Sequence, residues 1–366
     1  MRVGLIDSGG LDTISGSHLY DRKLVDYLRG CGDSVEVFSL PPRSYAGRLA
    51  DNVVTRWQQS IESAQLDVLL QDEAVHPALL RLNRRLRGRG SYPIVSIVHY
   101  LRCSETNSPG LEEFYRWIER RYLASVAGFI CTSETIQRAI GAVLDRPELA
   151  RSVVAIPAGD RLDAHLTPDL IRQRAHEVGP LRLVFVGDVI RRTGLLVLLE
   201  ALLQLPAGLC QLTVVGDVGM DELYKRVVYH LLMVTHLPGV TLAGVVSDAG
   251  LAEIFVNSHV LVVPAEDEGF NMAYLEGMSC GLPAIGTTSG AAGEIIDDEV
   301  NGYLVPPNDP AAVAKRLAIL ASDRDKLAQM SLAARERFLA QPGWNDSLAR
   351  VRQALLKWID HLASKV

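Results

Sequence analysis

Short apolar runs bounded by turn residues alternate with longer helical patterns along this chain, and no other feature constrains its fold as much. That alternation predicts a parallel α/β architecture, because each strand must be followed by a crossover helix that covers the sheet. Two series of strands are expected. The first comprises Val3–Ile6, Val35–Leu40, Asp67–Leu70, Ile94–His99, Gly128–Thr132 and Val153–Ile156. The second comprises Leu181–Val186, Gln211–Val215, Val240–Ala243, His259–Val263 and Pro283–Gly286, each followed by a helix. Between them Pro157, Gly159, Pro168, Gly179 and Pro180 punctuate a polar stretch. It reads as a linker between two compact units. The expectation is two doubly wound, Rossmann-like domains, 1–160 and 181–343, joined by a linker at 161–180 and facing a central cleft. After a break at Gln341, Pro342 and Gly343, a helical pattern runs from Trp344 to about Ala363.

With 366 residues, 48% of them hydrophobic and 22% charged, the chain is long enough for two domains of ordinary size. No apolar run approaches the ~20 residues that span a bilayer, and Met1 to Asp7 lead straight into a strand, so a cytoplasmic protein is expected. Cys31, Cys103, Cys131, Cys210 and Cys280 are scattered and form no CxxC pair, which suggests neither a disulfide framework nor a structural zinc site. A net charge of −6 argues against general nucleic-acid binding. Its distribution is uneven: 20 basic and 20 acidic residues lie in 1–165, against 17 and 23 beyond. Within the balanced half Arg81, Arg84, Arg85, Arg87 and Arg89 crowd together, and Arg116, Arg120 and Arg121 follow on an expected helix. They read either as solvated helix ends or as a peripheral membrane contact, where each basic residue contributes about 1 kcal/mol against anionic headgroups.

Candidate chemistry concentrates between Glu268 and Gly290. An apolar run, His259 to Pro264, predicts a buried strand; Ala265 to Phe270 make a short acidic turn, and a helix is expected from Asn271 to Cys280. Glu268 and Gly269 are thereby expected at a helix N-terminus, where unpaired N–H groups favour a phosphate or a sugar oxygen. Glu276 shares its helix face with Met272, Ala273, Ser279 and Cys280. A charge there is costly unless partnered, and a ribose diol can donate both hydroxyls to one carboxylate. The plainer alternative makes Glu268 a helix cap and Glu276 an interface residue. Gly281, Leu282 and Pro283 then stop the helix at once.

In the first half, Ser8, Gly9 and Gly10, then Ser15, Gly16 and Ser17, form a loop ahead of a helix expected over His18–Arg29. Such a loop lets backbone amides approach a ligand, although it is not GxGxxG. His99 closes the strand sequence PIVSIVHY, at the carboxyl edge where open α/β sheets bind ligands.

Glu268 and Glu276 with their Gly-Leu-Pro tail resemble the donor-site signature of retaining GT-B glycosyltransferases of family four. The resemblance covers most of the chain and is greatest from Leu181 to Pro306. It implies metal-independent, cofactor-free transfer of a sugar from a UDP-, GDP- or ADP-linked donor to a hydroxyl acceptor, and a terminal helix, 344–366, crossing back to the first domain. By the same analogy Glu268 contacts sugar hydroxyls, Glu276 the ribose, and amides of Gly269, Phe270, Asn271 and Met272 the sugar or phosphate. Gly244 and Val246 meet the nucleobase, Gly10 the donor phosphate, Gly16 and His18 the acceptor, while His99 joins Glu268 as a catalytic residue.

One loop departs from the family pattern. Relatives usually carry Arg after the glycine matching Gly187 and Lys before that matching Gly194, where this chain has Asp188 and Thr193. Asp188 would repel a diphosphate, and Thr193 offers a hydrogen bond without charge. Arg191 and Arg192 either compensate or are surface residues. The departure motivates a rival expectation, a GT-B protein that binds a nucleotide or sugar nucleotide without turnover. A sugar-nucleotide epimerase of this fold would need further carboxylates.

Overall fold

The computed structural model describes every residue except Ile14, Thr55, Gly90, Ser91, 106–108, 163–165 and 364–366; the side chains of 56, 88, 89, 109, 362 and 363 are likewise not described. Arg89, one of the five clustered arginines, thus falls partly outside the described residues. The chain forms two compact units, Met1–Pro157 with Trp344–Val366, and Ala158–Gly343.

The first unit is built on β1 (Arg2–Ser8), β2 (Ser34–Leu40), β3 (Val68–Asp72), β4 (Ile94–Val98), β5 (Gly128–Cys131) and β6 (Ser152–Val154). All pairs are parallel, in the order β2-β1-β3-β4-β5-β6. Every residue of β3, β4 and β5 is buried, as expected for central strands covered on both faces. The terminal helix Trp344–Ala363 is part of this unit, where Arg352 donates to buried Asp33 (Nε to Oδ2, 2.7 Å).

The second unit contains β7 (Leu181–Val186), β8 (Cys210–Val215), β9 (Val240–Gly244), β10 (Val260–Val262), β11 (Ala284–Thr287) and β12 (Gly302–Val305), again all parallel. Its order, β12-β11-β10-β7-β8-β9, reverses direction between β7 and β10. That reversal opens a crevice outside the carboxyl ends of the two strands, where doubly wound sheets bind ligands. The expected parallel two-sheet architecture is therefore present.

Two details differ from the sequence reading. The edge strand β12 was not foreseen, because its four residues follow the polar turn at 297–301, and β11 is followed by a 3₁₀ turn, Ala292–Glu294, in place of a helix. The stretch read as a linker is also packed structure: Leu162 joins the core of the second unit, and the helix Pro168–Ala175 buries Ile171 and Ala175.

Arg174 on that helix is almost wholly buried. Its guanidinium donates to the carbonyls of Val256 (3.3 Å), Cys280 (2.9 Å) and Gly281 (2.8 Å), which lie at the C-terminal ends of two helices, and reaches Phe255 O at 3.5 Å. Burial depresses its pKa to about 10 without neutralising it near pH 7. Arg174→Met leaves those buried acceptors unpaired and should lower the unfolding free energy by about 3 kcal/mol in urea titrations; a change under about 1 kcal/mol would contradict this role.

Candidate functional site

The loop after β7 and the loop after β10 flank the crevice of the second unit. They are locked together through backbone. Gly194 has φ +78°, and a Cβ there would stand 2.0 Å from Pro264 O, so the two loops touch at a position only glycine fills. Glu266 N donates to Arg192 O at 2.8 Å. The β11 side supports the same segment: Ala291 N donates to Glu268 O (3.0 Å), Thr287 Oγ1 to Ala265 O (2.7 Å), and a Cβ on Gly290 would lie 2.4 Å from Glu268 O.

Glu268 emerges from this braced loop half-buried, with its Oε2 enclosed and accepting no hydrogen bond. Burial raises its pKa to about 7, against the opposing pull of Arg192 and the Asn271 side chain. It does not stand at the helix terminus, as the sequence suggested. The helix spans Met272–Ser279, and its cap is Asn271, whose Oδ1 accepts from Ala273 N at 3.0 Å. Gly269 is buried just ahead of the cap, Met272 is half-buried at the first helical position, and Phe270 packs on the core of the unit.

Glu276 lies two turns further and is buried, 2% exposed. Its partner is Arg161, a residue the sequence reading did not single out. Arg161 Nη2 donates to Oε2 at 3.0 Å, Nε lies 2.9 Å from Oε1, and Nη1 donates to Asp248 Oδ1 at 3.1 Å. Burial raises the Glu276 carboxyl above its ordinary value, and Arg161 limits the rise.

In the loop after β7, Thr193 does not offer its hydroxyl outward. The residue is buried, and Oγ1 hydrogen-bonds Asp188 O (2.8 Å) and Ile190 O (2.7 Å) inside the loop, which corrects the expectation of a side-chain donor. The Asp188 carboxylate accepts weakly from Asp217 N (3.3 Å), and burial raises its pKa. Arg192 acts electrostatically on both Asp188 and Glu268, whereas Arg191 is exposed. Gly244 ends β9 with φ +68°; Val246 is half-buried against the core, and Ser247 caps the helix Asp248–Val256.

In the first unit the carboxyl edge gathers more charge than the sequence indicated. His99 Nε2 donates to Asp21 Oδ1 at 3.3 Å, and Asp72 lies in the same group, its ligating atoms within 4.8 Å of both. Burial raises Asp21 to about 6, and the Asp21 carboxylate holds His99 above its ordinary value. Glu73, His76 and Glu119 form a second buried cluster of the same dimension, with Glu73 pushed up to about 8. Both clusters have the donor types a divalent cation takes. His18 serves its own loop: Nε2 donates to Ser8 O and Nδ1 accepts from Ser15 Oγ, both at 2.6 Å. Gly16 is the first residue of the helix Gly16–Gly30, and Gly10 has φ +92°.

The family described as Glycosyl transferases group 1 matches residues 180–323, which contain the β7 loop, the β10 loop and both glutamates. Residues 180–323 are thus similar to the group 1 glycosyl transferases. A D-inositol 3-phosphate glycosyltransferase of Xylanimonas cellulosilytica is 30% identical over 233 residues, covering 59% of this chain and 52% of that protein. An uncharacterized glycosyltransferase of Methanocaldococcus jannaschii is 28% identical over 170 residues, 46% of each chain. The match thus spans about half the length of these curated relatives. Among solved structures, the sucrose-phosphate synthase of Thermosynechococcus elongatus aligns with a TM-score of 0.83 and 18% identity over 99% of this chain and 100% of that one. Anabaena HepE in complex with UDP-glucose aligns with a TM-score of 0.75 and 18% identity over 97% and 100%. The fold is that of GT-B proteins.

Because the folded-state pKa of Glu268 is raised, its favourable contribution to stability is present at acid pH and is lost as pH rises through about 7. Glu268→Gln should therefore raise the melting temperature at about pH 8 and change it less at about pH 5. An equal shift at both values in thermal denaturation would contradict the burial of this carboxylate.

Proposed function

We propose that the protein transfers a sugar from a nucleotide-sugar donor to a hydroxyl acceptor with retention of anomeric configuration and without a metal ion. The observation that carries this reading is the braced pair of loops at the β7–β10 crevice, which joins Arg192 to Glu268 and leads directly into the helix that holds Glu276. HepE, of the same fold, was solved with UDP-glucose, which supports a nucleotide sugar as the donor class.

Glu268 accepts from hydroxyls of the transferred sugar, and Glu276 from the ribose diol. Amides of Gly269 to Met272 and the Arg191–Arg192 pair meet the diphosphate, Arg as a bidentate donor. Gly244 and Val246 present backbone to the base, and Gly10 approaches the donor phosphate. In the transfer, the bond from the anomeric carbon to the phosphate oxygen breaks, and the acceptor oxygen bonds the carbon on that same face. The acceptor proton passes to the departing phosphate. His99, aligned by Asp21, contacts the transferred sugar, with Gly16 and His18 on the acceptor side.

Peripheral membrane contact belongs to the same proposal, on altered grounds. Of the five clustered arginines, Arg85 donates to Gln58 and Arg87 to Ala124 O, while Arg84 is exposed and Arg81 half-buried. The stronger feature is the neighbouring helix Pro109–Leu123, which exposes Leu111, Phe114 and Trp117 beside Arg116, Arg120 and Arg121. An aromatic stripe flanked by arginine suits an anionic lipid surface. No described helix is long and apolar enough to cross a membrane.

Incubation with UDP-, GDP- and ADP-sugars should release nucleotide from one class, undiminished by EDTA, and Glu276→Ala should weaken binding of that nucleotide at least about tenfold while the fold persists. Binding without release identifies a catalytically silent nucleotide binder, and loss of activity in EDTA refutes metal independence. For the membrane contact, the chain should sediment with phosphatidylglycerol vesicles and the double variant Phe114→Ala/Trp117→Ala should not; equal sedimentation of the two would refute the docking helix.

A further inference from the structure

The segment that opens the second unit does more than enter it. A Cβ on Gly159 would lie 2.5 Å from Leu275 Cβ, 2.6 Å from Leu275 C and 2.8 Å from Glu276 N, so the backbone of this segment runs directly against the helix Met272–Ser279. Two residues on, Arg161 meets Glu276 through two nitrogens, and the next residue, Leu162, is fastened in the core. The third nitrogen of the same guanidinium holds Asp248, in the first turn of the helix that follows the Gly244–Ser247 loop. One side chain thus joins the carboxylate assigned to the ribose with the loop assigned to the base.

We propose that Arg161 is a positioning residue for the donor nucleotide: it keeps the Glu276 carboxylate ionised and aimed to accept from a ribose diol, and fixes its distance from the base loop through Asp248. The inference rests on reading Glu276 as the ribose contact. The physical need is plain, because a carboxylate with 2% exposure is stable as an anion only beside a cation or strong donors. Arg161 favours the anion and Asp248 opposes it. Beyond the helix end, the Cys280 thiol is held protonated by burial, and Arg335 donates to Ser279 O. A planar guanidinium meets two carboxylate oxygens and still keeps a free edge for a third acceptor, which an ammonium cannot do in a fixed plane.

Without Arg161, Glu276 takes up a proton at higher pH, and a neutral carboxyl accepts less well from the two hydroxyls. The test titrates UDP, GDP and ADP into the full chain and carries the tightest binder, with its 2′-deoxy counterpart, across a pH series. Wild type should prefer the ribonucleotide. In Arg161→Met the affinity should fall at least about tenfold near pH 6 and recover toward alkaline pH, its midpoint displaced upward by at least about one unit. The preference for ribose over 2′-deoxyribose should shrink with it. Arg161→Lys, which keeps charge without the fork, should lie between the two, and adding Glu276→Gln to Arg161→Met should abolish the pH dependence. An Arg161→Met protein that binds with the wild-type midpoint and preference overturns the inference and leaves the proposed function standing. A uniform loss at every pH overturns it in favour of a merely structural role. Wild type that binds none of the three nucleotides overturns both.

Discussion

The second unit depends on one close approach of backbone to backbone, that of Gly194 to Pro264. It joins the loops that leave β7 and β10 where strand order reverses, and so turns a geometric crevice into a walled one. The wall is then thickened from the β11 side by Ala291, Thr287 and Gly290. Glu268 sits on a segment that is hydrogen-bonded from both directions, to Arg192 on one side and to Thr287 and Ala291 on the other. A carboxylate held that way can remain partly desolvated, with a pKa near 7, without the loop swinging out to hydrate it.

Buried charge is the second theme, and the two units use it differently. In the second unit two buried ions have definite counterparts: Arg174 gathers helix-end carbonyls and Glu276 pairs with Arg161. The first unit instead places Asp21, Asp72 and Glu73 near one another under His99, so that burial and mutual repulsion raise Asp21 and Glu73. Perturbation of this kind at the carboxyl edge of a sheet is a common mark of a functional site. In the proposed reaction it aligns and charges His99 from beneath.

Much of this was legible in the chain because the signals are local. Apolar runs and Gly/Pro punctuation located eleven of the strands to within a few residues, and Trp344–Ala363 is the terminal helix in both readings. Asn271 and Cys280, the ends expected for the site helix, turn out to be its two caps. What was not legible is non-local. Arg161 stands 115 positions from Glu276, and Asp21 stands 78 from His99. A hint existed in the first case, since an expected buried glutamate demands a basic partner, but nothing in the spacing says which arginine supplies it. Thr193 was misjudged for the opposite reason: its hydroxyl has local carbonyls to serve, at Asp188 and Ile190, and a loop that tight leaves it no proton for a ligand.

The central claim is that a donor nucleotide lies along the β7–β10 crevice of the second unit. Amide hydrogen exchange of the full chain, with and without a saturating nucleotide from the class it binds, tests this directly. Slower exchange should appear together at 187–194, at 244–248 and at 268–276. Protection confined to other segments, with these three unchanged, would contradict the account.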